Sequence, residues 1–125
     1  MKSKKYSVLI VDDNESYVQR MIDLLGEVEK VSSIQTAGNY NEAFRMLDNK
    51  IPDILLLDIS LPGKSGINLL QTMQKYKWSS EVIMISNNSG SFYKELCKDY
   101  GVRYFLDKTN EFDQVAGIIN SYSSN

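Results

Sequence analysis

The stretch Ile54-Leu55-Leu56-Leu57-Asp58-Ile59-Ser60-Leu61-Pro62-Gly63-Lys64-Ser65-Gly66 decides how the chain is read, because an apolar run stops there at a carboxylate and breaks into a turn. Four large apolar residues bracketed by Pro52 and Pro62-Gly63 suit a strand covered on both faces, as in a parallel sheet. Asp58 then falls at the carboxyl end of that strand, where open α/β sheets bind their ligands. An isolated aspartate in such a place equally well begins a loop. Its neighbours along the sheet must decide its meaning.

Toward the amino terminus, Val8-Leu9-Ile10-Val11 is a second apolar run, and Asp12-Asp13-Asn14 closes it with helix-capping chemistry. Tyr17, Val18, Met21, Ile22, Leu24 and Leu25 recur at helical spacing up to Gly26. Residues 31–37 mix apolar and polar side chains with several β-branched ones, as an edge strand does. Asn39 with Glu42 resembles a capping box for a helix whose apolar face is Tyr40, Ala43, Phe44 and Leu47.

Toward the carboxyl terminus, Ile67, Leu70 and Met73 mark a helix that runs out near Trp78-Ser79-Ser80. Val82-Ile83-Met84-Ile85 is a fourth strand ending at Ser86, and Asn87-Asn88-Ser89-Gly90 is a loop by composition. Phe92, Leu96, Cys97 and Tyr100 share one face of a helix stopped by Gly101. Residues 102–106 form a fifth strand ending near Lys108, and Asn110 is placed to cap a last helix carrying Phe112, Val115, Ala116 and Ile119. Residues 121–125 are a polar tail. Tyr17, Tyr93 and Tyr100 are read as covering helical surfaces.

Five strands alternating with five helices, with no hairpin signal, imply an α/β doubly wound fold: one five-stranded parallel sheet with helices on both faces. Asp12 and Asp13, Asp58, Ser86 and Lys108 each fall at a strand's carboxyl end, so all four groups share one rim. Three neighbouring carboxylates repel one another unless a cation or proton intervenes. An all-oxygen donor set suits Mg²⁺, which keeps several waters and commonly shares its octahedron with a phosphoryl group. Lys108 adds a mobile positive charge, Ser86 a hydroxyl donor, and Asp58 a carboxylate able to accept a phosphoryl group covalently.

Taken in order and at these intervals, Val8-Leu9-Ile10-Val11-Asp12-Asp13, Leu55-Leu56-Leu57-Asp58 with Leu61-Pro62 and Gly66, Ser86, and Phe105-Leu106-Asp107-Lys108 resemble the receiver domain of two-component response regulators. The resemblance spans residues 7–122 and implies a CheY-like, flavodoxin-like (βα)5 domain with strand order 2-1-3-4-5. It further implies that Asp58 is phosphorylated by a phosphohistidine of a sensor histidine kinase or histidine phosphotransfer protein. Asp13, Asp58 and the backbone carbonyl of Ser60 would bind Mg²⁺, with Asp12 acting through water. Lys108 would pair with the phosphoryl group, Ser86 would turn toward it, and Phe105 would occupy the switch-aromatic position. An effector would then read the face of helix four, strand five and helix five. Two positions depart from the family pattern, Thr109 standing where Pro is usual and Asn87 where Ala or Gly is usual, and Ser60 and Asn88 flank the route of a hydrolytic water.

Composition sets the outer limits. At 125 residues the chain matches one domain, able to bury about two-thirds of its unfolded surface. A net charge of −2 gives no broad attraction to nucleic acid, and Lys2, Lys4 and Lys5 are too few for a phosphate-tracking surface. The lone Cys97 permits no intramolecular disulfide, there is no signal peptide and no apolar stretch of membrane-spanning length, and a cytoplasmic location is expected. Histidine is absent, so no histidine base, histidine ligand or internal histidine relay exists. No output module is expected within these residues, so the chain is read either as a complete protein that docks a partner or relays phosphate, or as the amino-terminal domain of a longer one.

Rival functions on the same layout fare worse. An aspartyl-phosphate phosphatase resembles an Asp-x-Asp pattern, and Ser60 occupies the second acid's place. A flavin electron carrier needs a cradle for an anionic phosphate, which an acidic rim does not offer. The nearer competitor is a degenerate receiver serving as a phosphorylation-independent interaction module.

Overall fold

The structure is a computed structural model that describes residues 5–87 and 91–122. Its centre is the pair β1 (Tyr6–Val11) and β3 (Ile54–Asp58), buried at nearly every position. Strand alternation sends Val8, Ile10, Ile54 and Leu56 to one face and Leu9, Val11, Leu55 and Leu57 to the other. Both faces are covered, which is why these runs show no polar alternation. β2 (Val31–Ala37) lies at one edge and is largely exposed, while β4 (Glu81–Ser86) and β5 (Tyr104–Asp107) extend the other side. The order is β2-β1-β3-β4-β5, with every neighbouring pair parallel.

α1 (Glu15–Leu25) and α5 (Gln114–Ser121) cover the first face through Tyr17, Met21, Leu25, Val115 and Ile119. α2 (Tyr40–Asn49), α3 (Gly66–Tyr76) and α4 (Ser91–Asp99) cover the second through Ala43, Leu47, Leu69, Leu70, Met73 and Cys97. The chain leaves β1 for the β2 edge, then returns past β1 to β3. β1 and β3 therefore flank the point where winding reverses, and the crevice beyond their carboxyl ends is where such sheets hold ligands.

Local chemistry sets the helix starts. Asn14 Oδ1 accepts from Tyr17 N at 3.0 Å, and Asn39 Oδ1 accepts from Glu42 N at 2.9 Å. Glu42 does not complete a capping box on Asn39; its carboxylate accepts from Gly38 N at 2.7 Å instead. The reciprocal box is at α3, where Ser65 Oγ accepts from Asn68 N and Asn68 Oδ1 accepts from Ser65 N.

Gly26 caps α1 as expected, in right-handed geometry at φ −61°, and Gly101 follows α4 in the left-handed conformation at φ 84°. Other expectations are corrected. β5 starts at Tyr104 rather than at residue 102. Asn110 does not cap α5, because Asp107 Oδ1 accepts from both Thr109 N and Asn110 N, at 2.9 and 2.7 Å, and holds the chain in turns until Asp113. Glu111 Oε1 accepts from Asp107 N at 2.8 Å and ties the same turn from its far end. No cis peptide occurs among the described residues, so this aspartate turn sets the path of the chain through Thr109. The loop expected at 87–90 and the polar tail lie largely outside the described residues, as do Lys2, Lys4 and Asn88.

Candidate functional site at the carboxyl rim

Asp12 directly follows β1, and its backbone N donates to Ala37 O of the edge strand at 3.0 Å. Its Oδ1 accepts from Asn14 N at 2.8 Å, so one carboxylate oxygen is spent on the turn into α1. Asp13, next along, is exposed. Asp58 ends β3, where Ile59 N donates to Ile85 O of β4 at 3.0 Å and Ser60 N donates to Asp58 Oδ1 at 3.0 Å. Asp12 and Asp58 are both 4 % exposed.

Carboxylate oxygens of Asp12, Asp13 and Asp58 lie within 4.8 Å of one another. Oxygens this close could share one small hard cation, directly or through its waters. The set is oxygen only, as a hard cation requires. A groove of about 550 Å³ opens past Asp12 and Asp13 between α1 and the β2–α2 connection.

Lys108 supplies the opposing charge. Its Nζ lies 2.8 Å from Asp12 Oδ2 and 3.1 Å from Asp58 Oδ2, with the side chain 10 % exposed. Ser86 positions it, because the carbonyl of this fully buried residue accepts from Lys108 N at 2.9 Å. Burial pushes the Asp58 carboxyl above the usual carboxylate range and Asp12 pushes the same way, against the Ser60 amide and Lys108. For Lys108 burial acts downward, yet the two carboxylates outweigh it and hold the ammonium above its ordinary value. One ammonium thus holds its own charge but does not fully relieve Asp58.

Gly66 sets the approach of α3. A side chain there would place its Cβ 2.4 Å from Asp58 O and 3.0 Å from Ile59 Cα, so only glycine allows the α3 amino terminus to seat against the end of β3. The rim therefore brings together Asp12, Asp13, Asp58, Ser86 and Lys108. Ser60 adjoins Asp58 through its amide. Phe105 lies apart, half-buried beside α4, with Lys94 Nζ 6.0 Å from its ring centroid. Asn87 is exposed directly after Ser86.

Tyr17 was expected on a helical surface and is instead 7 % exposed beneath the site, its ring centroid 4.8 Å from Lys108 Nζ. A signal was present in the sequence. Tyr17 follows Asp13 by one helical turn, and helical side chains lean toward the amino terminus, hence toward the rim.

The family model of the response regulator receiver domain matches residues 8–120. The chain belongs to this family. Among curated relatives of the receiver, the DNA-binding transcriptional activator EvgA of Escherichia coli K12 is 26% identical over 117 residues, covering 92% of this chain and 56% of that protein. The probable C4-dicarboxylate response regulator DctR of Bacillus subtilis is 33% identical over 86 residues, covering 69% of this chain and 38% of that one. The chain thus spans about half the length, or less, of these relatives. Among solved structures, the Francisella response regulator 1452 receiver domain superposes with a TM-score of 0.84 at 22% identity, covering 93% of this chain and 94% of that one. A CheY-like receiver from Methanospirillum hungatei gives 0.82 at 21%, covering 94% and 92%. These superpositions bear out the doubly wound fold and its strand order. No helix among the described residues is long and apolar enough to cross a membrane.

Proposed function

We propose that this receiver accepts a phosphoryl group on Asp58 from a phosphohistidine of a sensor kinase or phosphotransfer protein, in a Mg²⁺-dependent reaction in the cytoplasm. One observation carries the reading: Asp58 is buried at the winding reversal with two further carboxylates and one lysine converging on it. Asp13, Asp58 and the Ser60 carbonyl would hold Mg²⁺, with Asp12 acting through water. When bound, the ion neutralises the oxygens of the transferring group.

The protein's own groups do the rest. An Asp58 oxygen attacks phosphorus as the bond to the donor imidazole nitrogen breaks; that nitrogen keeps the electron pair and takes up a proton. The Ser60 amide already donates to Asp58 Oδ1, which fixes the rotamer and leaves the other oxygen facing Lys108. Lys108 then follows the phosphoryl oxygens, and the Ser86 hydroxyl turns toward them. Metaphosphate-like transfer asks mainly for such positioning and charge neutralisation.

The output would be read on the face of α4, β5 and α5. Ser86 pairs in register with Asp107 and Met84 with Phe105, so recruitment of Ser86 is transmitted to the strand that carries Phe105. Phe92 on α4 is 70 % exposed, an apolar group available to a partner. An effector would contact this face directly, and the receiver itself would not bind nucleic acid.

Incubation with a small phosphodonor, followed by intact mass measurement, tests the reading. One phosphoryl group per chain is expected with Mg²⁺, none after chelation and none in Asp58→Asn. A well-folded protein that incorporates nothing, and binds no phosphoryl mimic, would instead be an interaction module.

A further inference from the structure

Among the described residues, the charged end of Lys108 meets three groups: Asp12 Oδ2 at 2.8 Å, Asp58 Oδ2 at 3.1 Å and the face of the Tyr17 ring at 4.8 Å. The first two are carboxylates that a bound cation and an incoming phosphoryl group would draw on. The third is a π-face, which neither can claim. Lysine is a point charge on a flexible stem, so an ammonium that exchanges carboxylate partners for phosphoryl oxygens is guided by a contact that stays fixed through the exchange.

Tyr17 is built to provide one. It is buried on α1, and its ring meets Phe112 edge-on at 5.7 Å and 82°. Arg20 lies over the Phe112 ring, its guanidinium carbon 4.5 Å from the centroid. The ring is therefore held by packing. Its hydroxyl is buried and has no hydrogen-bond partner among the described residues, so packing rather than hydrogen bonding places it.

We propose that Tyr17 is a positioning residue for Lys108, an aromatic platform that keeps the ammonium at the acceptor carboxylate when the carboxylates are taken up by a cation and a phosphoryl group. The inference rests on the phosphoryl-acceptor reading of Asp58. A cation over a tyrosine face is favourable at partly desolvated sites, and the link through Phe112 connects the platform to the turns that precede α5.

Two measurements test it. In the unmodified protein, without metal or phosphodonor, the Lys108 ε-methylene protons should show an upfield ring-current shift in the NMR spectrum, kept in Tyr17→Phe and lost in Tyr17→Leu. With beryllofluoride and Mg²⁺ as probe, Tyr17→Leu should weaken binding about three- to thirty-fold, the range of a cation–π contact. Tyr17→Phe should bind as the parent does, and Tyr17→Leu should add nothing in a Lys108→Ala background. The proposal is overturned if Tyr17→Phe falls as far as Tyr17→Leu, or if Tyr17→Leu costs as much with Lys108 absent, since the effect would then be structural. If the ring-current shift is present but the parent protein binds no beryllofluoride, the phosphoryl reading fails and this one with it. If the parent binds and a folded Tyr17→Leu binds equally, the platform alone fails.

Discussion

Asp53 and Asp58 bracket the same strand and do opposite work. At the amino end, Asp53 Oδ2 accepts from Ser7 N at 2.9 Å and Ser7 Oγ at 3.2 Å, while Asp53 N donates to Ser7 Oγ at 3.0 Å. Its carbonyl accepts from Glu81 N of β4 at 3.0 Å. Asp53 thus stitches β1, β3 and β4 together. At the carboxyl end, Asp58 has one amide and one shared ammonium, and two further carboxylates beside it. An aspartate at a strand end is structural when its oxygens are matched by local donors. It is chemically available when carboxylates outnumber donors.

That contrast orders the expected effects of substitution. Lys108→Ala leaves Asp12 and Asp58 buried with no cation, and breaking such a pairing costs about 3 kcal/mol or more. Urea unfolding without metal should show this loss, and added Mg²⁺ should recover much of it. Asp53→Ala should cost about 1–3 kcal/mol, the penalty for orphaning part-buried donors, with no change in Mg²⁺ affinity. Equal responses of the two variants to Mg²⁺ would erase the distinction between the rims.

The smallest effect is a matter of pH. Burial first, then Asp12, place the Asp58 pKa above its ordinary value, so between the two values the folded protein binds more protons than the unfolded chain. Stability contributed by this group rises as pH falls into that window and is lost as pH climbs through it. Metal-free Asp58→Asn should lack this dependence and be at least as stable as the parent at neutral pH, as thermal unfolding across pH would show. A parent protein whose metal-free stability is flat through the same window would contradict the strained rim.

The same contrast explains what the sequence disclosed. The apolar runs 8–11, 54–57 and 82–85 could be read as doubly covered strands because burial on both faces removes polar alternation, and their terminal acids, Ser86 and Lys108 fell on one rim as a consequence. Asp53 went unread because its role depends on Ser7, 46 residues away on a neighbouring strand. The α5 start was misplaced for a related reason: Asn110 has capping chemistry, but Asp107 claims its backbone N–H first. Tyr17 fitted an amphipathic pattern, which fixes the face of a helix but not that a ring in its first turn sits under the lysine that follows β5.

Locating the incoming phosphoryl group is the most direct test of the comparison between the two strand ends. After reaction with a small phosphodonor and Mg²⁺, borohydride reduction converts an aspartyl phosphate to homoserine, which peptide mass spectrometry assigns to one position. Homoserine at Asp58, with Asp53 untouched, is the expected result. Homoserine at Asp53, Asp12 or Asp13 with Asp58 unmodified would contradict the assignment of the acceptor.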